Sequence, residues 1–323
     1  MPIFVDVYYT SIVLSRNVLS AQILYTIIIT ISQMFHVKQL SIFNILFYIL
    51  LFLIPINLRI IYLPDLSYID YYFSIHLGFI LYLTDLLLTG LLVSWLVITR
   101  PKLSYRQIFA FGLVLLFASI QMFHVKHTEL WLYNAFKWLE LLGLCLFLSK
   151  ELKESINFKT AFLVLFLSGV FQASLGLWQF HVQHMAGLGF LGEYIADLNT
   201  PGVATIEISG TKLLRAYGTF PHPNLLGAFL VLGLILGYYY VSRETFRNKL
   251  LVSCGTLVIS LGLFLTFSRI AWFGALVGIS ALTLWLLRHR RYQSFVSVVV
   301  LSMVSCGTVV LLYSDLLALR VSE

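Results

Sequence analysis

The sequence predicts an all-α protein, a polytopic transmembrane helical bundle of about ten spans. Three observations predict it. The 323 residues are 60% hydrophobic and only 11% charged, with a mean hydropathy of +0.93, which is more apolar surface than a water-soluble fold hides. The apolar segments run unbroken for roughly 17–22 residues, the length a helix needs to cross a bilayer. Barrel strands would instead alternate and run about ten residues. The basic residues gather in short loops between the apolar segments. That distribution sets topology, so the net charge of +7 is not read as a nucleic-acid surface.

The first apolar run, 18–35, lies in an N-terminal segment, 1–40. Further spans follow it, so it reads as a helix of the mature protein and not as a cleaved signal; its orientation stays open. The block 41–178 holds candidate spans 41–61, 79–98, 107–123, 131–148 and 160–178. Span 79–98 carries Asp85, whose partner the sequence does not identify. Span 131–148 carries Lys137 and Glu140, three positions apart and so on one helical face, where they can neutralise each other. The segment 179–223 is rich in Gly187, Gly189, Gly192, Pro201, Gly202, Gly210 and Gly218. A connection of this length in a compact bundle is functional or disordered. Its Phe190, Leu191, Tyr194, Ile206 and Ile208 argue for an ordered loop against the membrane surface. The block 224–313 holds spans 224–242, 250–267, 270–287 and 293–313, and 314–323 begins a further external loop.

Orientation follows from charge. Arg100, Lys102 and Arg106; Lys150, Lys153 and Lys159; Arg243, Arg247 and Lys249; and Arg288, Arg290 and Arg291 mark four short loops. Two spans separate each neighbouring pair, so all four fall on one side, the cytoplasmic one. The loop 179–223 and the C-terminus are then external.

Cys145, Cys254 and Cys306 lie far apart without metal or redox spacing. His181 and His184 are three apart, but no third ligand is evident, so interfacial histidines are favoured over a metal site. The pentapeptide Met-Phe-His-Val-Lys occurs at 34–38 and 122–126 with unrelated flanks. Two readings stand: chance recurrence at span ends, or a DNA-level constraint. A coding sequence for Met122 to His127 can be its own reverse complement and then resembles the palindromic centromere-like site of bacterial chromosome partition. Other codons at both places would end the second reading.

One polar segment stands out, Arg215-Ala216-Tyr217-Gly218-Thr219-Phe220-Pro221-His222-Pro223-Asn224, which runs straight into an apolar helix. Arginine keeps its charge in any environment and presents a planar fork suited to phosphate. Gly218 permits a tight turn, the prolines stiffen the entry, and Asn224 is positioned to cap the helix. The helix start itself favours anions. Ser268-Arg269 breaks a second apolar run, at the external end of a tight helical hairpin that can bring Arg269 close to Arg215. Ionisable residues beside spans are costly, which argues for function. The competing readings are a capped helix entry and arginines that snorkel to headgroups.

These residues, with Leu191-Gly192-Glu193, Thr200-Pro201-Gly202-Val203-Ala204 and Tyr82-Leu83-Thr84-Asp85-Leu86, resemble the O-antigen ligase and polymerase superfamily over roughly 41–313. The resemblance implies a multi-spanning glycosyltransferase of the bacterial inner membrane. Such an enzyme takes a glycan from an undecaprenyl diphosphate carrier to a sugar, lipid or protein acceptor, without metal or other cofactor. It implies that Arg215 and Arg269 bind the carrier diphosphate, supported by Gly218, Thr219, Phe220, His222, Pro223, Asn224 and Ser268. No catalytic base is assigned, because the family's catalytic histidine lies in an external loop beyond Glu323. The chain is therefore expected to be a fragment or half of a split protein, inactive alone. Two alternatives are a flippase or transporter of lipid-linked glycans and a non-catalytic remnant.

Overall fold

The computed structural model describes residues 42–62, 68–69, 72–73, 79–122, 128–154, 156–193, 198, 202–208, 210–243 and 246–322. Two compact units divide the chain, Met1–Ile45 and Leu46–Glu323. The expected first span, 18–35, and the pentapeptide at 34–38 lie outside the described residues, as does most of its copy at 122–126.

The described chain is mostly helical, with nine α-helices: α1 (Ile42–Leu53), α2 (Leu83–Thr99), α3 (Tyr105–Met122), α4 (Thr128–Glu154), α5 (Phe158–Val182), α6 (Pro223–Val241), α7 (Phe246–Leu265), α8 (Arg269–Arg288) and α9 (Tyr292–Ser322). Six of these regions are long and apolar enough to cross a membrane: Trp131–Glu151, Phe158–Val182, Pro223–Val241, Asn248–Leu265, Arg269–Arg288 and Tyr292–Ser314. Three apolar helices are shorter, Ile42–Leu53, Leu83–Thr99 and Tyr105–Ile120.

Two expected spans are corrected. The run 41–61 is not one helix. It ends at Leu53, because Pro55 has no amide hydrogen to continue the ladder and disfavours helical backbone at Ile54. The chain then forms strand β1 (Arg59–Tyr62), antiparallel to β4 (Phe79–Tyr82) with Arg59 opposite Tyr82. The expected span 79–98 therefore starts as a strand and becomes helical only at Leu83. Between them β2 (Tyr68–Ile69) pairs with β3 (Tyr72–Phe73). A third hairpin, β5 (Thr205–Ile208) with β6 (Thr211–Leu214), lies in the long loop, which begins after Val182 and not at 179.

Helices α5, α6 and α7 pack on one another, α8 packs on α6, and α9 lies along α8 and α7. Close approach of backbones replaces the hydrophobic drive that lipid removes. A Cβ on Gly237 would fall 2.4 Å from Thr256 Oγ1, and one on Gly262 would fall 2.8 Å from Ala173 Cβ. A second group joins α2, α3 and α4. There Lys137 pairs with Asp85 and lies 3.5 Å from Glu140, which also accepts from Thr89 Oγ1 at 2.9 Å. So Lys137 and Glu140 do meet, as their spacing predicts, and Asp85 completes the cluster.

The antiparallel course brings the four basic loops to one end. Lys150 Nζ donates to Lys102 O at 3.0 Å, Tyr240 Oη to Lys159 O, Ser294 Oγ to Ser242 O at 2.8 Å and Lys249 Nζ to Ser297 Oγ at 3.0 Å. The opposite end carries the long loop and the α7–α8 turn.

Candidate functional site

The site is built on one face of α5. Gln172, Gly176 and Gln179 recur at helical spacing, and Gln183 continues the stripe as a left-handed C-cap, φ 59°. Gln172 and Gln179 are fully buried. Their amides act as a template for the backbone of 217–219. Gln179 Oε1 accepts from Tyr217 N at 3.1 Å and Gly218 N at 2.7 Å, and its Nε2 donates to Gly218 O at 2.8 Å. Gln172 Oε1 accepts from Thr219 N at 2.9 Å, and its Nε2 donates to Thr219 Oγ1 at 2.9 Å. Thr219 Oγ1 in turn donates to Pro55 O at 2.5 Å. Gln183 Oε1 accepts from Leu214 N at 2.7 Å, where β6 ends. A buried amide left unmatched costs about 1–3 kcal/mol, so this reciprocal pairing fixes the segment's path.

Gly218 is required by that path. Its φ is +60°, and a Cβ there would fall 2.5 Å from Gln172 Oε1. Gly176 matters for proximity: a Cβ would meet Ala216 Cβ at 3.1 Å and Leu226 Cδ2 at 3.3 Å. Glu193, nearly buried, anchors the start of the loop. Its carboxylate accepts from Ala186 N at 2.7 Å, Leu188 N at 2.6 Å and Gln179 Nε2 at 2.7 Å. Tyr217 is buried against Leu214, Met185, Leu198, Val203 and Ala204, and its hydroxyl accepts from Ala204 N at 2.6 Å.

The segment is joined to the α7–α8 turn. Ala216 N donates to Leu265 O at 3.0 Å. Arg215, half-buried, donates from Nε to Thr266 O at 2.7 Å and from a terminal nitrogen to Asn224 Oδ1 at 3.0 Å. The turn itself is tight: Phe267 is left-handed, φ 50°, and the Ser268 side chain caps α8 by accepting from Ala271 N at 3.4 Å. Arg269 is the first residue of α8 and is exposed, with no side-chain hydrogen bond or ion pair among the described residues. The carbonyl that holds Arg215 thus belongs to the residue three before Arg269, and both arginines stand at the end of the bundle opposite the basic loops.

The cap of α6 differs from expectation. Because the helix begins at Pro223, Asn224 is already inside it, and His222 is the N-cap: its Nδ1 accepts from Asn224 N at 3.1 Å. Asn224 orients Arg215 instead. Burial, and then the charge of Arg215, push the His222 imidazole below its ordinary 6.5. That keeps Nδ1 an acceptor. Pro223 takes the first helical position, where its missing amide hydrogen costs nothing. Phe220 packs on Phe229, ring centroids 5.5 Å apart.

His181 and His184 do not converge. His181 Nδ1 donates to Leu177 O at 2.8 Å, so Nε2 accepts from the Tyr313 hydroxyl at 3.2 Å, beside the kink in α9 (φ −138°). His184 lies edge-on to Trp178. Among the described residues no three His, Cys, Asp or Glu side chains cluster as metal ligands. The sequence reading missed Gln172 and Gln179 as organising residues. Their only signal was two amides seven apart in an apolar run. Of the motifs that carry the resemblance, Thr200 and Pro201 lie outside the described residues. No family model, curated protein or solved structure matches the chain.

Proposed function

We propose that this end of the bundle binds the diphosphate of a polyprenyl-linked glycan, and that the chain is the membrane portion of a glycosyltransferase of the O-antigen ligase or polymerase type. The observation that carries the reading is the Arg215 Nε bond to Thr266 O at 2.7 Å. It ties one guanidinium to the turn that bears the other. Arg215 is oriented by Thr266 and Asn224, while Arg269, with no side-chain partner among the described residues, is exposed at a helix start, where the backbone dipole also favours anions. In the transfer, an acceptor hydroxyl oxygen attacks the anomeric carbon from the face opposite the carrier and gives up its proton to solvent. The bond from that carbon to the diphosphate breaks, and configuration inverts. Negative charge gathers on the leaving diphosphate, where fixed cations stabilise it. His222, committed to its cap, is not the base in this reading. The membrane is the bacterial cytoplasmic one, with the basic loops inside and the arginines outside.

The test is glycan transfer from an undecaprenyl diphosphate donor in membranes that carry the protein together with any further segment it needs. Arg215→Ala and Arg269→Ala are each expected to lower the rate roughly 100-fold or more. Full transfer by both variants refutes the reading. Carrier movement across the bilayer without transfer favours a transporter instead.

A further inference from the structure

The molecule holds a third guanidinium at this end, one nitrogen of which finds no acceptor among the described residues. Arg59, the first residue of β1, is half-buried. One of its terminal nitrogens, Nη1, is shut off from solvent and has no hydrogen-bond partner among the described residues. No carboxylate described pairs with it: the two ion pairs between described residues join Lys137 to Asp85 and to Glu140. A guanidinium nitrogen withdrawn from water with no acceptor among the described residues is expensive, and the large majority of buried donors in native folds are matched.

The position of Arg59 in the fold says which layer of the molecule it belongs to. The residues before it are built into the loop layer around Arg215. Pro55 O accepts from Thr219 Oγ1. The backbone of Asn57 and Leu58 passes so near Gly192 that a Cβ there would fall 2.2 Å from both, next to the Glu193 that anchors Gln179. Leu58 O accepts from Leu83 N at 3.0 Å. Arg59 therefore enters the same layer as the Arg215 segment, from the side of the α2 and α4 group.

We propose that Arg59 is a third anion-binding residue of this end, reserved for a phosphoryl oxyanion of the bound ligand. The inference rests on reading the end as an anion site and adds a residue to it. A planar fork with an unused, desolvated donor suits a phosphoryl oxygen. Free diphosphate and the diphosphate of a lipid share that chemistry. The loop between β1 and β4 carries Asp65 and Asp70, and a pairing with either would make Arg59 structural instead.

The full chain in nanodiscs distinguishes these. Binding of inorganic pyrophosphate is measured by calorimetry, and nanodiscs doped with undecaprenyl diphosphate are compared with undecaprenol-doped ones by thermal shift. Arg59→Gln is expected to weaken binding about tenfold or more in at least one arm. The arm affected identifies the source of the anion. Its ligand-free melting temperature is expected to match or exceed that of wild type, because the buried Nη1 donor it removes has no partner among the described residues. Arg59→Lys, which keeps the charge but loses the fork, is expected to lose severalfold and serves if the glutamine variant does not fold. Unchanged affinity in both arms overturns the inference, most plainly if the ligand-free protein is also destabilised. Arg215→Ala and Arg269→Ala run alongside report on the underlying reading separately: their binding can survive while that of Arg59→Gln is lost, and the reverse.

Discussion

At the scale of single residues, the site is a set of exchanges in which each polar side chain takes the role its neighbour leaves open. His222 caps α6, so Asn224 is free to hold Arg215. That exchange makes the cap pH-sensitive. The folded state holds His222 below its ordinary 6.5, whereas the unfolded chain titrates near it. The unfolded state therefore binds the proton first as pH falls. The associated stability is complete above about pH 6.5 and is lost on acidification until the lower folded value is passed. His222→Asn keeps a capping oxygen without the titration. Its melting temperature is expected to fall less than that of wild type between pH 7.5 and 5.5, both limits chosen to span roughly one unit on either side of the ordinary value; parallel profiles would remove the role assigned here. Gly218 gives a sharper case. Gly218→Ala meets both a left-handed backbone and the Gln172 oxygen, and should cost about 1–3 kcal/mol, read as a lower melting temperature. Gln179→Leu should cost at least as much, because two amide hydrogens, a carbonyl and a carboxylate lose their common partner.

At the scale of elements, sequence pattern and structure part company where partners are distant. Arg269 is legible because it breaks an apolar run, and Arg215 and Gly218 because they lie in a polar segment that runs straight into an apolar helix. Gln172 and Gln179 were not, since a glutamine in a span does not announce that its partner lies about 40 residues on, in another element. The helix start was misjudged by two residues, enough to assign the cap to Asn224. Likewise Pro55 signals the end of α1, yet a hydropathy window reads across it into β1. Lys137 and Glu140 could be paired from their spacing, while Asp85 needed the packing of α2 on α4 to be joined to them. That cluster predicts an order of effects. Lys137→Met leaves two largely buried carboxylates without a cation and should cost about 2–4 kcal/mol. Asp85→Asn keeps an acceptor for Tyr82 N and leaves Lys137 with Glu140, so it should cost less. Thermal unfolding in detergent that ranks them the other way would show that Asp85, through its helix cap, matters more than the lysine.

At the scale of the whole molecule, the span count comes down to the shorter helices. Helix α1 has 12 residues and α2 has 17, about 18 Å and 26 Å of rise against a hydrocarbon core of about 30 Å. The first falls well short alone. The second is close enough that local thinning of the bilayer covers the difference. If α2 and α3 both cross, the loop holding Lys102 shares a side with that before α9, as the Lys150 to Lys102 bond already places it within the fold. The hairpin β5–β6, with exposed Lys212, then faces the other compartment together with Arg215 and Arg269. With Cys145, Cys254 and Cys306, which form no disulfide, replaced by serine, single cysteines at Lys102, Lys212 and Gln293 make this measurable. A membrane-impermeant maleimide applied to intact cells, or to spheroplasts where an outer membrane intervenes, should label Lys212→Cys alone. Permeabilisation should expose Lys102→Cys and Gln293→Cys. Labelling of Lys102→Cys from outside would mean that α2 and α3 do not cross as a pair. Labelling of Gln293→Cys with Lys212→Cys would put both residues on one side, so that the three helices between them, α6, α7 and α8, could not all cross.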